Sequence, residues 1–405
     1  MKYGLIGKTL KYSYSKIIHE KFGQYLYDLC EIPEDGVGDF ILNAGYTAFN
    51  VTIPYKESVI KYLDVVDPFA LELSAVNTVV KRDGVLYGYN TDFYGMIYML
   101  NSAGIVLKDK TVMILGTGGT GRTAVAVSRH LGAKKIVTVS RNGEVNYQNY
   151  LLVKDVQVII NTTPVGTYPN TESAPITLDG FDLLEGVADV TYNPFTTKLL
   201  FLASQKGLKY VNGLKMLVAQ AKYALDIFLN KKFPDSLIED VYNDLKKETL
   251  NVVLIGMPGS GKTTVGKVLA TLSGKDFIDT DEEIVKLAGK SIPQIFADDG
   301  EDHFRKLETE VLSSVCKERG KIIATGGGIV KFNRNLFLVK QNGVTVRIDR
   351  DLSMLETDGR PLSKDVETLK KLKAEREPLY RQFADFMVQN SSTPENIAKE
   401  ILSLL

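Results

Sequence analysis

Short apolar runs alternate along this chain with stretches in helical rhythm, and glycine-rich joints separate them. Residues 112–115, 135–139 and 157–160 read as short buried strands, and 122–130 reads as the helix after the first of them. Strands that alternate with helices in this way predict a parallel, doubly wound sheet. Residues 3–6 form a further apolar strand that runs into Gly7. A second unit opens with a strand over 252–255 and a helix from about 262 to 272, with more strands expected at 322–324 and 345–348. Between the two units, 214–229 has a helical apolar rhythm, Lys231-Lys232-Phe233-Pro234-Asp235 breaks it, and 236–247 reads as another helix. The charged stretch 244–248 leads into the second unit, which puts a domain boundary at about 247–250 and gives regions 1–247 and 248–405.

A chain of 405 residues suits two to three domains, in keeping with that division. Lys plus Arg and Asp plus Glu number 49 each, so no overall basic charge draws the chain to nucleic acid. The apolar start lacks the run and cleavage site of a signal peptide, and no stretch approaches a membrane span. A cytoplasmic protein with no nucleic-acid or membrane partner is therefore expected. Cys30 and Cys316 read as reduced thiols, and His19, His130 and His303 form no metal-spaced cluster.

The strongest chemical signal is Gly256-Met257-Pro258-Gly259-Ser260-Gly261-Lys262-Thr263, a full G-x-x-x-x-G-K-[ST] run between an apolar strand and a helix. Such a loop curls backbone N–H groups around a phosphate at a helix N-terminus. Lys262 can reach the β- and γ-phosphates of ATP, and the Thr263 hydroxyl can ligate Mg²⁺. Asp279 and Asp281 stand two apart after an apolar pair, one suited to magnesium and the other to an acceptor hydroxyl. Thr325-Gly326-Gly327-Gly328 ends another strand, where backbone contacts a ligand or turns tightly. Arg305, Arg360 and Arg376 lie in separate segments and suit anionic groups. On these motifs residues 251–402 resemble a shikimate kinase. The resemblance implies a P-loop α/β domain like the nucleoside monophosphate kinases, which phosphorylates shikimate with ATP and Mg²⁺. It implies Asp281 as base, Asp279 as organiser of magnesium, and Arg305, Arg376 and Gly326, Gly327 and Gly328 as the shikimate site. Gly259, Ser260, Gly261, Lys262, Thr263 and Thr264 would hold the nucleotide, with Arg360 brought to it on a lid. The family often has a further lid arginine where this chain has Ser353.

The first region carries Gly116-Thr117-Gly118-Gly119-Thr120-Gly121 between a strand and a helix, a dinucleotide-loop pattern. At the end of the next strand stand Ser140-Arg141, where an NAD site usually has an acidic residue, and a cation there suits the 2′-phosphate of NADP. Ser13 and Ser15, the run from Asn50 to Lys56, Asn77, and Asn90-Thr91-Asp92 supply hydroxyls, amides, one lysine and one carboxylate. Together they suit a polyhydroxylated acid, with Lys56 steadying or protonating an oxygen and Asp92 orienting it. Thr91-Asp92 would also cap a helix over 92–101.

This set resembles shikimate dehydrogenase over residues 1 to about 246. The resemblance implies Lys56 and Asp92 as the catalytic pair. Ser13, Ser15, Thr52, Asn77, Tyr192 and Gln220 would bind substrate. Gly116 to Arg122 (that is Gly116, Thr117, Gly118, Gly119, Thr120, Gly121 and Arg122), with Ser140, Arg141, Thr162, Gly213 and Met216, would line the NADPH site. It further implies a two-lobed α/β fold with a Rossmann-like nucleotide lobe over 101–213, and a substrate lobe of 1–100 with 214–246. The family reads His-Ser-x-Ser-Pro where Tyr12-Ser13-Tyr14-Ser15-Lys16 stands here, and Asn where Ser140 stands. The two halves would act in turn: 3-dehydroshikimate and NADPH give shikimate, and shikimate and ATP give shikimate 3-phosphate. An NAD-linked quinate/shikimate dehydrogenase, or a non-catalytic shikimate-binding first half, are the alternatives.

Overall fold

The computed structural model describes residues 1–11, 13–352 and 366–405. By contacts the chain divides into two compact units, Met1–Tyr192 with Leu202–Leu245, and Asn193–Phe201 with Lys246–Leu405. The segment Asn193–Phe201, which lies inside the first of the two sequence-derived regions, is thus part of the second unit.

The first unit holds two sheets. Six strands run in the order Asp28–Glu31, Tyr3–Gly7, Ala48–Val51, Thr78–Arg82, Val85–Tyr89, Val65–Val66. The first three are parallel, and a hairpin of Thr78–Arg82 with Val85–Tyr89 joins them antiparallel. The second sheet is wholly parallel, in the order Lys209–Val211, Gly186–Asp189, Val158–Asn161, Thr111–Leu115, Lys135–Val139. Its central strands are buried along their whole length, which parallel sheets covered on both faces require.

The helix Leu214–Phe228 follows the second sheet in sequence but packs its Ala224 and Phe228 with Tyr3, Leu5, Tyr27, Ala48 and Val80 of the first. It also lies along the helix Thr91–Ser102 at very close range. A Cβ on Gly95 would stand 2.8 Å from the Met216 carbonyl oxygen. Asn90 caps Thr91–Ser102, its side-chain oxygen accepting from the Phe93 N–H at 3.3 Å. The cap expected at Thr91-Asp92 is therefore one residue earlier. Thr91 is already helical and buried, which leaves the Asp92 carboxylate for other work.

The second unit is a five-stranded parallel sheet in the order Asp276–Asp279, Lys321–Ala324, Asn251–Ile255, Gly343–Asp349, Phe386–Gln389. Apolar clusters cover its two faces, and Phe201 belongs to one of them with Val253, Phe304, Leu338 and Tyr380. Both cysteines are free. Among the described residues no helix is long and apolar enough to cross a membrane.

Candidate active sites

In the first unit the functional side chains hang from neighbouring strand ends. Strand Ala48–Val51 lies beside Tyr3–Gly7 with Val51 opposite Ile6, and the Thr52 N–H continues the pairing to the Ile6 carbonyl at 3.0 Å. This brings Thr52 next to the turn that carries Ser13, whose N–H bonds to the Leu10 carbonyl. Ser13 Oγ accepts from the Ser15 N–H at 3.2 Å, and Ser15 opens the helix Ser15–Lys21. Between the serines, the Tyr14 ring meets the Tyr192 ring edge-on at 5.8 Å.

Four residues beyond Thr52, Lys56 Nζ donates to Asp92 Oδ2 at 2.6 Å, with both side chains partly exposed. A buried amide network sets this pair. Asn77 Oδ1 accepts from the Thr91 N–H at 2.8 Å, and Asn50 Nδ2 donates to the Asn77 carbonyl at 3.0 Å. The Tyr27 hydroxyl donates to Asn50 Oδ1 at 2.6 Å. Asn77 is 3% exposed, so much of its amide holds the helix start that carries Asp92. Gln220 stands over Gly95, one turn from Asp92, its Cβ 3.0 Å from where a Gly95 Cβ would be, and its Nε2 donates to the Leu217 carbonyl at 2.8 Å.

The glycine loop leaves strand Thr111–Leu115 at Gly116, with φ 101°, and enters the helix Gly119–His130. A Cβ on Gly121 would collide with the Gly116 carbonyl, whereas Gly118 and Gly119 face open space. Tight closure behind and free backbone in front is the geometry a pyrophosphate needs. A cavity of about 330 Å³ adjoins this loop, lined by Gly116, Thr117, Gly121, Arg122, Arg129 and Thr138 among others. Thr162 Oγ1 ties the next strand end to the Leu115 carbonyl at 2.7 Å. The Ser140 N–H bonds to the Val145 carbonyl at 3.2 Å, and Arg141 beside it is exposed. Gly213 is packed so closely on Val190 that a Cβ would overlap its carbonyl, so this glycine is required by packing as well. Met216, one turn on, is 8% exposed.

In the second unit the loop after strand Asn251–Ile255 places Gly261 at φ 94° just before the helix Lys262–Ser273. Lys262 Nζ donates to the Gly256 and Met257 carbonyls at 3.0 and 2.9 Å, folded over the loop. Thr263 Oγ1 donates to Asp279 Oδ2 at 2.7 Å, and Asp279 Oδ1 accepts from the Asp281 N–H at 3.0 Å as cap of the helix Thr280–Ala288. The hydroxyl and carboxylate expected at a magnesium ion are therefore neighbours. Such an ion takes only one or two protein oxygens beside phosphate and water, and this pair fits it.

Across a cavity of about 620 Å³ lie the remaining groups. Gly326 is flanked by two carboxylates; a Cβ there would stand 2.9 Å from Asp281 Oδ1 and 2.5 Å from Glu308 Oε1. Arg305 donates Nη1 to Glu308 Oε2 at 2.8 Å, and a Cβ on Gly328 would run into its guanidinium. Arg376 donates Nη1 to the Gly327 carbonyl at 2.9 Å, is 2% exposed, and keeps a buried Nε without a hydrogen-bond partner among the described residues. Arg305, Arg376, Asp281, the three glycines and the loop residues Gly259, Gly261, Lys262, Thr263 and Thr264 thus share one cavity. Ser260 instead turns its hydroxyl into the buried interior. Arg360 and Ser353 lie outside the described residues.

Among the polar lining residues, the sequence reading gave no role to Glu308, Arg350, Asn390 and Ser392. Burial pushes the Glu308 carboxyl up, Arg305 opposes this, and Asp281 adds to it. Its spacing of three from Arg305 on one helix was the available signal. Asn390 donates to the Ser260 carbonyl at 2.7 Å, and Gly261 admits no Cβ beside it.

A family model described as shikimate kinase matches residues 258–405, and one described as the shikimate dehydrogenase substrate binding domain matches residues 5–79. The chain is 37% identical over 265 residues to the shikimate dehydrogenase (NADP(+)) of Clostridium perfringens strain SM101, spanning 60% of this chain and 98% of that one. The corresponding Clostridium beijerinckii protein is 33% identical over 265 residues, 61% of this chain and 98% of its own. Among solved structures, a chorismate mutase/shikimate 5-dehydrogenase fusion protein from Clostridium acetobutylicum superposes with TM-score 0.58 at 32% identity, over 60% of this chain and 96% of that one. The Thermus thermophilus shikimate 5-dehydrogenase in complex with NADP(H) and shikimate superposes with TM-score 0.54 at 26% identity, over 60% and 99%.

Proposed function

The chain belongs to the shikimate dehydrogenase family and carries a shikimate kinase domain C-terminal to it, and from that premise we propose that it reduces 3-dehydroshikimate with NADPH and then phosphorylates the shikimate formed. Both enzyme activities follow from the two family matches; the order and direction are our reading. The Lys56–Asp92 pair at 2.6 Å carries it, because a non-catalytic binding lobe has no need of an exposed ammonium set by a carboxylate.

NADPH, when bound on the 116–121 loop, supplies a hydride to the substrate carbonyl carbon. Lys56 holds the carbonyl oxygen and delivers a proton to it, while Asp92 keeps the ammonium aimed and accepts from a substrate hydroxyl. Ser13 and Ser15 donate to the substrate carboxylate with Tyr192 beside them, and Thr52, Asn77 and Gln220 hold its hydroxyls. Thr162, Gly213 and Met216 shape the floor of the nicotinamide site. Arg141, with Ser140, receives the 2′-phosphate, and an exposed guanidinium at the end of strand Lys135–Val139 supports that choice of cofactor.

In the second unit shikimate presents a hydroxyl to Asp281, which takes its proton as the oxygen attacks the γ-phosphorus of ATP and ADP leaves. Arg305 and Arg376 grip the carboxylate, with Gly326, Gly327 and Gly328 as backbone floor. Thr263 and Asp279 would hold Mg²⁺, which would supply charge neutralisation at the phosphates, and Lys262 swings from the loop carbonyls to the β- and γ-oxygens. Transfer of this kind rests on positioning and charge. The deciding experiment supplies 3-dehydroshikimate, NADPH, ATP and Mg²⁺ to the intact chain and follows NADPH oxidation and ADP release together. Both should proceed, with ADP release dependent on NADPH. ADP release that requires added shikimate would overturn the sequential reading.

A further inference from the structure

Arg350 follows the strand Gly343–Asp349 and lines the same cavity as Lys262, and the Asp349 carboxylate next to it in sequence is engaged by other cations. Arg347 takes Glu377 in a two-pronged pair at 2.8 and 2.7 Å and reaches Asp349 at 3.2 Å, and Lys373 reaches Asp349 at 3.4 Å. Arg381 completes the set on Glu377 at 3.0 Å. Arg350 makes no ion pair among the described residues. Its one hydrogen bond there is a long contact, 3.5 Å from Nη1 to the Gly259 carbonyl on the rim of the phosphate loop. Its Nε is buried and has no hydrogen-bond partner among the described residues.

A guanidinium carries five donors and stays charged at any working pH. Drawing part of it out of water without a counter-charge is unfavourable, and placing it in one cavity with the Lys262 ammonium adds like-charge repulsion. Both costs disappear when an anion with several oxygens lies between the two cations. Of the three carboxylates that line the cavity, Asp281 and Glu308 flank Gly326, where Arg305 and Arg376 also stand, and Asp279 is taken by the Thr263 hydroxyl and the Asp281 N–H.

On the reading that the loop holds ATP, we propose that Arg350 is a nucleotide-binding residue that donates to the oxygens of the phosphate chain. It acts beside Lys262 from the end of the neighbouring strand, and its contact is with phosphate rather than with the base.

The test uses the intact chain and the variants Arg350→Ala and Arg350→Lys. Titration calorimetry measures ATP, ADP, AMP and adenosine, and steady-state kinetics gives KM for ATP and for shikimate. Arg350→Ala should weaken ATP about tenfold to a hundredfold, the effect of losing hydrogen bonds to a charged group. The loss should shrink from ATP to AMP and vanish for adenosine, with the KM for shikimate within about twofold of its starting value and Arg350→Lys restoring part of the ATP affinity. Unchanged ATP affinity in Arg350→Ala would overturn the proposal. So would a loss as large for adenosine as for ATP, which would place the arginine against the base. Equal weakening of ATP and shikimate would mark it as a support of the loop and also overturn it. Absence of ATP binding by the unaltered chain would instead remove the nucleotide reading itself.

Discussion

Lys56 and Asp92 come from different elements, a hydrogen-bonded turn after one strand and the first turn of a helix, and meet at 2.6 Å. The amide of Asn77 holds the Thr91 N–H and so fixes where that helix begins. Removing the ammonium should therefore cost chemistry more than binding. Lys56→Met is expected to lower the dehydrogenase kcat by about 10²- to 10⁴-fold, the usual contribution of a positioned proton donor. KM for the substrate should change much less, and the circular dichroism spectrum should stay the same. A variant that keeps its kcat would remove Lys56 from the reaction.

Arg141 is the proposed partner of the cofactor's 2′-phosphate. Arg141→Ala should raise the KM for NADPH at least tenfold and leave that for NADH within about twofold, since only one of the two carries the 2′-phosphate. The comparison of the two KM values checks this. Equal changes would make Arg141 a residue of the loop fold alone.

Lys262→Ala should reduce phosphorylation of shikimate by about 10²-fold or more, because the positive charge proposed to reach the transferring group is lost. NADPH oxidation by the same preparation should be unaffected, and that ratio of rates is the measurement. Normal phosphorylation in a folded variant would dismiss the loop as the nucleotide site.

Both parallel sheets were legible because their central strands read as continuous apolar runs, two of them ending at Gly116 and Gly256, whereas the edge strand 135–139, expected to be buried, exposes Lys135 and Thr138. Residues 112–115, 135–139 and 252–255 lie within or coincide with the observed strands. The strand expected at 157–160 is shifted by one, since Gln157 pairs outside the ladder and Asn161 ends it. Less was visible where sheets are edged or mixed. Asp28–Glu31 is mostly exposed and polar, and Lys209–Val211 is three residues long, so neither has an apolar run to announce it. The site motifs were readable as loops of fixed spacing. Arg350 and Asn390 were not, because nothing local marks a side chain whose neighbours come from distant segments, and Glu308 had only its spacing from Arg305 to mark it. The packing role of Gly213 against Val190 was equally invisible.

His19 gives a pH dependence with a definite sign. It is fully buried, stacked on Tyr27 with ring centroids 4.1 Å apart, and Nδ1 pairs with the Tyr25 hydroxyl at 2.8 Å. Burial drops its pKa from 6.5 to about 3, against a smaller opposing effect of Asn50. Below pH 6.5 the unfolded chain takes up a proton that the folded chain refuses, so stability falls as pH drops from there toward 3, at up to about 1.4 kcal/mol per pH unit. Urea unfolding at pH 7 and pH 5.5 should show a smaller difference for His19→Gln than for the unaltered chain. Equal differences would mean that His19 titrates normally.

The segment Asn193–Phe201 makes the second unit depend on residues well before it in the chain. Within that unit the Phe195 N–H donates to Asn342 Oδ1 and the Thr196 N–H to the Gln341 carbonyl, each at 2.8 Å. Phe201 is 9% exposed and faces the Phe337 ring at 5.4 Å, and Lys198 Nζ lies 4.5 Å from the centre of the same ring. Asn342 also holds the Lys317 carbonyl, so the segment is tied into the joint between two elements and does more than cover an apolar patch. Truncating a buried phenylalanine costs about 3–5 kcal/mol, with the lower end apt for a ring that keeps some exposure. Phe201→Ala should thus destabilise the second unit by about 3 kcal/mol, and a fragment of residues 248–405 should suffer more, since it loses the two backbone hydrogen bonds as well. The check is urea unfolding of the fragment and of the full-length variant, followed by kinase activity, beside the unaltered chain. Lower midpoints for both, with the fragment lowest, are expected. A fragment that unfolds at the midpoint of the intact chain would show that residues 248–405 form a complete folding unit and that Asn193–Phe201 contributes nothing to its stability.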